Sequence, residues 1–254
     1  MTRSTFGQIV LPRRRTAQEE PVKLVIFGAN GPTGRLATQQ ALAEGHSVTA
    51  VTRQPDAFPL SGARLRVVEA DVLDATAVGR AVAGHDAVIS TVGASYTKEP
   101  VTVYSQGAAN VIAAMEAHGV RRLVCVSSIG ANYVDAPGEA LVFRKVIVPM
   151  LLKMGRTLYE DAGRMEDLVR ACDLDWTIVR PSGLFDAEET TDYVVCHARH
   201  PGWFTSRRDL ADALVREAVD DRSVRASVEV ITTEGTPRYI KVFLKEALGV
   251  GSGR

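Results

Sequence analysis

Short apolar runs alternate with stretches of helical periodicity along the chain. Residues 22–27 form the first run, and its apolar character, interrupted only by Lys23, predicts a buried parallel strand. Residues 33–44 have helical character and stop before Gly45, a residue suited to ending a helix. Residues 47–51 predict a second strand, so strand, turn, helix and strand make one βαβ unit with a right-handed crossover. The alternation continues through a strand at Leu65–Glu69, a short helix at Ala75–Val82 and a strand at Ala87–Ser90. A helix over 101–117 and a strand at Arg122–Val126 complete a doubled βαβαβ pattern.

The second half is less regular. Residues 139–153 predict a helix that Pro149 bends or breaks, because proline lacks the N–H that an interior turn needs. A second helix covers 159–172, and a strand covers 176–179. Tyr193–Cys196 reads as another short strand, and 208–219 as an amphipathic helix with Leu210, Leu214 and Ala218 on one face. A late strand at 227–231 and a closing helix at 239–248 follow, and 251–254 read as a frayed end. No linker interrupts residues 21–250, which are expected to form a single domain with a small C-terminal substrate region. Residues 1–20, rich in arginine and without periodicity, read as a flexible tail. Residues 184–204 carry Phe185, Tyr193, Trp203 and Phe204. They read either as a lid over a substrate or as a satellite core.

Chemistry enters at the first turn. Gly28-Ala29-Asn30-Gly31-Pro32-Thr33-Gly34 follows an apolar strand and opens a helix at the start of the first βαβ unit. Gly28 permits a tight turn, Gly31 removes a Cβ from the path of a pyrophosphate, and Gly34 allows the helix to close on the strand. The helix N-terminus offers free amides and a partial positive charge to phosphates. This context predicts a Rossmann-type doubly wound parallel sheet that binds a nicotinamide dinucleotide. An NAD preference calls for an acid near the end of the second strand, but the chain reads Val51-Thr52-Arg53-Gln54-Pro55 and has no acid before Asp56. Arg53 suits a 2′-phosphate instead, with Arg35 as a possible helper, so NADP(H) is expected over NAD(H). Asp71-Val72, after the third strand, is within reach of the adenine edge, although Asp71 also reads as an ordinary turn acid.

Composition narrows the field. The chain has 30 basic and 30 acidic side chains and no net formal charge, which gives no general attraction to nucleic acid or anionic lipid. No apolar stretch is long enough to span a membrane, and no secretory signal opens the chain, so a cytoplasmic location is expected. The three cysteines are far apart and include no CxxC, so no metal is expected. A small-molecule substrate is the expected partner, with the chain a monomer or homodimer.

The glycine turn, Thr52-Arg53, Asp71-Val72, Ser90-Thr91-Val92-Gly93, Ser127-Ser128 and Thr177-Ile178-Val179-Arg180-Pro181 together resemble atypical short-chain dehydrogenases/reductases. The nearest flavour is the NmrA-like, NAD(P)H-binding group that includes the biliverdin-IXβ/flavin reductases. The resemblance runs over residues 22–230. It implies that Gly28, Asn30, Gly31, Pro32, Thr33 and Gly34 hold the pyrophosphate and Arg53 the 2′-phosphate. Asp71 and Val72 would flank adenine, and Thr91, Val92 and Gly93 would run beside ribose and pyrophosphate. Ser127 and Ser128 would stand at the nicotinamide, with Pro181, Ser182 and Gly183 near its carboxamide. The family's Tyr-x-x-x-Lys acid pair is missing: its positions fall on Leu158 and Ala162, and Tyr159 has Gly163 four residues on. Two readings compete. One is an NADPH-dependent oxidoreductase whose planar acceptor (flavin, quinone or tetrapyrrole-like) needs no strong acid, with Ser127, Ser128 and Tyr159 as its catalytic candidates. The other is a non-catalytic NADP(H)-binding redox sensor. A nucleotide-sugar epimerase is a weaker third, since that chemistry calls for the missing pair. Arg156 and His197 are further polar candidates.

Overall fold

The computed structural model describes residues 21–135 and 143–237. The expected tail at 1–20, the start of the 139–153 helix, the closing helix at 239–248 and the end at 251–254 lie outside them. The fold is a Rossmann-type α/β domain. Its strands are β1 (Lys23–Phe27), β2 (Ser47–Thr52), β3 (Leu65–Glu69), β4 (Ala87–Ser90), β5 (Arg122–Val126) and β6 (Asp175–Pro181). Then come β7 (Gly183–Phe185), β8 (Tyr193–Cys196), β9 (Phe204–Ser206) and β10 (Ala226–Thr232). The main sheet runs β3-β2-β1-β4-β5-β6-β10-β8. The order turns back between β1 and β4, and that reversal opens a crevice at the carboxyl ends of the strands.

Alternate side chains of each central strand serve opposite faces. Val25 and Phe27 of β1 face one core with Val88, Leu123 and Ile178, and Leu24 and Ile26 face the other with Ile89, Val124 and Val179. The first core is closed by α2 (Ala75–Val82), α3 (Val103–His118) and α5 (Arg156–Ala171), which supply residues such as Val78, Met115 and Met165. The second is closed by α1 (Pro32–Ala43) and α6 (Arg207–Val219), through Ala37, Ala41, Leu210 and Leu214. Burial on both faces explains the continuous apolar runs.

Several elements depart from the sequence reading. The predicted helix over 139–153 is, where described, a wide π-helical turn at Phe143–Ile147 followed by α4 (Val148–Met154). Pro149 lies in the first turn of α4, where its missing N–H has no helical partner to lose. The break thus falls just before Pro149. Helix α5 begins at Arg156, three residues before the expected start, with only Gly155 between it and α4. Strands β7 and β9 were not expected, and they pair parallel as a separate ribbon. The 184–204 segment is therefore partly woven into sheet, since β8 pairs antiparallel with β10. No helix of the described residues is long and apolar enough to cross a membrane.

One long-range contact holds α3 in place. No local side chain caps its N-terminus. Asp161 of α5, fully buried, does so from a distance: it accepts from the Tyr104 amide at 2.9 Å and from the Ser105 hydroxyl at 2.5 Å. Removing a buried cap leaves helix amides without partners. We expect Asp161→Ala to lower unfolding free energy by about 2 kcal/mol, read as an earlier urea midpoint with unchanged m-value.

Candidate active site

The crevice above the strand ends has a volume of about 1790 Å³, larger than the roughly 300–1,000 Å³ of a drug-sized pocket. It has room for a dinucleotide and a second molecule. Its wall runs from the turn after β1 through those after β2, β3, β4, β5 and β6. Every residue the family resemblance assigned to the site, and Tyr159, lies on this wall except Gly34. Gly34 stands behind it: a Cβ there would meet the Ala29 Cα and the Thr91 Oγ1 at 2.8 Å. It is buried packing that lets α1 approach the turn.

At one end the wall fits a pyrophosphate. Gly28 has φ +72, and a Cβ on it would lie 2.8 Å from the Thr91 carbonyl and the Val92 nitrogen. Only glycine permits that approach of β1 to the turn after β4. The first turn of α1 carries Pro32, no capping side chain and no acidic residue, so its positive end is left for an anion. The Asn30 Oδ1 accepts from Arg35 Nε at 3.0 Å and Nη2 at 2.7 Å, which fixes a cation beside the same turn. Thr91 donates its hydroxyl to the Phe27 carbonyl at 2.9 Å, tying β4 to β1.

The end of the crevice beside β2 and β3 is set by local turns. Arg53 is exposed on the wall directly after β2 and makes no ion pair among the described residues. Asp71 Oδ1 accepts from the Leu73 amide at 3.0 Å, the ordinary turn role weighed above, and the residue still lines the crevice. Val72 packs on Gly107 of α3, where a Cβ would lie 2.9 Å from its methyl, and its carbonyl accepts from Asn110 at 2.9 Å.

At the other end, a buried charge cluster lies under the wall. Ser127, almost fully buried, donates to Glu166 Oε1 at 2.7 Å. The same carboxylate accepts from Arg180 Nε at 2.8 Å, Arg170 at 2.8 Å and Asn132 at 2.7 Å. Burial alone would raise the Glu166 pKa, but bonds from Arg180, Ser127 and Arg170 outweigh it and hold the carboxyl below the usual range. Glu166 is therefore ionised, and the Ser127 proton points at it. Ser127 can offer lone pairs to the crevice but not its proton. Ser128 differs: its oxygen accepts from the Gly130 amide at 3.1 Å, and its proton remains available. The Ser182 hydroxyl is buried on the wall with no partner among the described residues, an orphan that suits a polar ligand group.

Tyr159 lies in a slot between two glycines. A Cβ on Gly130 would meet its ring at 2.6 Å, and one on Gly155 at 2.5 Å. Its hydroxyl is 3.2 Å from that of Tyr96 in the loop after β4. Leu158 lies on the wall and Ala162 is buried, and among the described residues no lysine lines the crevice. The remaining sequence candidates fall away from the crevice. Arg156 pairs with Glu160 at 2.6 Å on the surface, and His197 is exposed off the wall. Cys125 and Cys196 are buried, which pushes both thiols up to about 12. Among the described residues no group of His, Cys, Asp and Glu is placed to hold a metal. Sequence reasoning passed over the Glu166 cluster and Tyr96. A carboxylate on the apolar face of α5, beside Ala162, Met165 and Val169, was the available signal for Glu166.

A model described as NAD(P)H-binding matches residues 28–240. The chain belongs to this family. Among curated relatives, a Mycobacterium tuberculosis protein, Rv2047c, is 34% identical over 108 residues. That match covers 42% of this chain and only 12% of the relative. A Bacillus subtilis protein named as a sugar epimerase, YhfK, is 26% identical, over 85% of this NAD(P)H-binding chain and 96% of its own. Among solved structures, a Veillonella parvula short-chain dehydrogenase/reductase in complex with NADP has a TM-score of 0.68 at 20% identity, covering 84% of this chain and 95% of that one. The anaerobillin reductase ChuY from Escherichia coli O157:H7 has a TM-score of 0.68 at 23% identity, covering 85% and 100%. The fold is thus shared with oxidoreductases and epimerase-like proteins of the NAD(P)H-binding class.

The charge cluster makes a pH-dependent prediction. A carboxyl depressed by folding stabilises fully above its unfolded pKa of about 4.3 and loses that contribution as pH falls through the lower folded value. Glu166→Gln removes the shared carboxylate of Arg180 and Arg170 and leaves them only the more distant Glu229 and the exposed Asp167. We expect it to cost about 3 kcal/mol near neutral pH, and the gap to the parent protein to begin narrowing in urea melts as pH falls below about 4.3 and to close only below the depressed folded value.

Proposed function

We propose that the protein is an NADPH-dependent oxidoreductase that passes hydride to a small planar acceptor of the flavin, quinone or tetrapyrrole-like kind. The observation that carries this reading is the wall at the Ser127 end of the crevice. It is apolar and hydroxyl-bearing, formed by Met150, Leu151, Met154 and Leu158 with Ser128 and Tyr159, and among the described residues it carries no carboxylate or lysine. A flat conjugated acceptor suits such a surface, and it can take its proton from water after hydride arrives. Bound NADPH supplies the hydride, while the protein supplies position and shields the site from solvent.

Residues of this chain have distinct parts in that reading. Ser127, its proton held by Glu166, accepts from an amide N–H. Ser128 and the Tyr159–Tyr96 pair offer hydroxyls to the acceptor. Ser182 and Gly183 line the carboxamide side. The free guanidinium of Arg53, with Arg35 braced by Asn30, supports a preference for the 2′-phosphate.

Purified protein mixed with NADPH and a panel of flavins, quinones and tetrapyrroles should consume reduced nicotinamide well above buffer. Tight NADPH binding with no turnover across the panel would favour a redox sensor instead. Arg53→Ala should weaken NADPH binding by about 10- to 100-fold, the scale of a hydrogen-bonded charge contact, and leave NADH little changed. Equal losses for both cofactors by calorimetry would refute the 2′-phosphate role.

A further inference from the structure

We propose that Arg207 is an anchor for an anionic substituent, a carboxylate or phosphate, on the acceptor. The inference rests on the reading of this crevice as an acceptor site. Three charged side chains line the crevice among the described residues: Arg53, Asp71 and Arg207. The first two follow β2 and β3, at the adenine end. Arg207 follows β9, beside Gly183, Leu184 and Phe204, and is the cation on the acceptor side.

Its surroundings leave it available. Arg207 donates through Nη1 to Asp186 Oδ1 at 2.9 Å, its one hydrogen bond among the described residues. Asp186 is 85% exposed, whereas Arg207 is 24% exposed. An ion pair with one partner in open solvent is weak and readily exchanged. The rest of the guanidinium fork is left for a planar oxyanion, which it matches in two parallel bonds. Helix stability does not account for the residue either. Arg207 opens α6, where the helix presents its positive end and a cation is disfavoured. The acid of that turn, Asp209, is fully buried and accepts from Thr191 and Thr232. Asp186 thus acts as a placeholder that an incoming anion displaces.

The test uses matched acceptors that differ in one anionic group. FMN and riboflavin share a ring and differ by the phosphate; anthraquinone carboxylate and its carboxamide do the same for a carboxylate. Equilibrium binding of each to protein saturated with NADP is measured for the parent, Arg207→Gln and Asp186→Asn. We expect the parent to prefer the anionic member of at least one pair. Arg207→Gln should weaken that member by about tenfold and leave its neutral partner unchanged. Asp186→Asn should tighten the anion severalfold, a direction that mere structural damage does not produce. A preference confined to the flavins assigns phosphate, and one confined to the anthraquinones assigns carboxylate. Equal binding of charged and neutral members, equal losses in Arg207→Gln, or no binding of any of the four overturns the anchor. Binding is read without turnover. Failure of hydride transfer alone would therefore sink the oxidoreductase reading and leave the anchor standing.

Discussion

Backbone approach at the end of β1 governs the site. Gly28 brings its Cα against the Thr91 carbonyl, and Gly34 brings α1 down onto the Gly28 turn. A Cβ at either place would collide with main-chain atoms, which cannot swing aside as a side chain can. The closeness has a chemical consequence. It sets the positive end of α1 over the reversal in strand order, where neighbouring turns diverge and leave space. The cradle and the crevice are thus one geometric feature, and the Thr91 hydroxyl, bonded to Phe27, locks its two sides together.

The opposite end is ordered by charge. Glu166 is a fully buried carboxylate whose partners come from the β5 loop, β6 and its own helix. Desolvation of such a group is costly, and the hydrogen bonds from two arginines, an asparagine and a serine offset it. Arg180 also faces Glu229 across the β6–β10 pairing, and Glu229 binds Arg199 at 3.2 Å. The cluster therefore extends beneath the sheet edge toward Trp203, on whose ring the Arg199 guanidinium lies at 5.1 Å. Such a network fixes Ser127 in one orientation. It makes that hydroxyl an acceptor toward the crevice, whereas the Ser128 oxygen accepts from the Gly130 amide.

The segment between β6 and α6 is fastened rather than loose. Thr191 bonds to buried Asp209, and Tyr193 donates to buried Asp212 at 2.6 Å. β8 adds its backbone to β10. Its aromatic side chains divide accordingly: Trp203 and Phe204 reach the crevice wall, and Tyr193 packs beneath it against α6. One segment thus contributes side chains both to the crevice wall and to the second core.

Local signals in the sequence determined the βαβ alternation, the strand limits through β5 to within one residue, the glycine turn and the wall residues that follow each strand. Each rests on neighbours within a few residues: a run of apolar side chains buried on both faces, a helical period, a turn that only glycine can make. Tertiary structure alone decided what depends on partners far apart in the chain. Asp161 capping α3 joins residues 57 apart, and Glu166 meets Ser127 across 39. The antiparallel seat of β8, the β7–β9 ribbon and the slot that two glycines make for Tyr159 are of the same kind. A hydrogen-bond partner or a steric slot supplied by another element leaves no periodicity behind, so it becomes visible only when the sheet brings the two together.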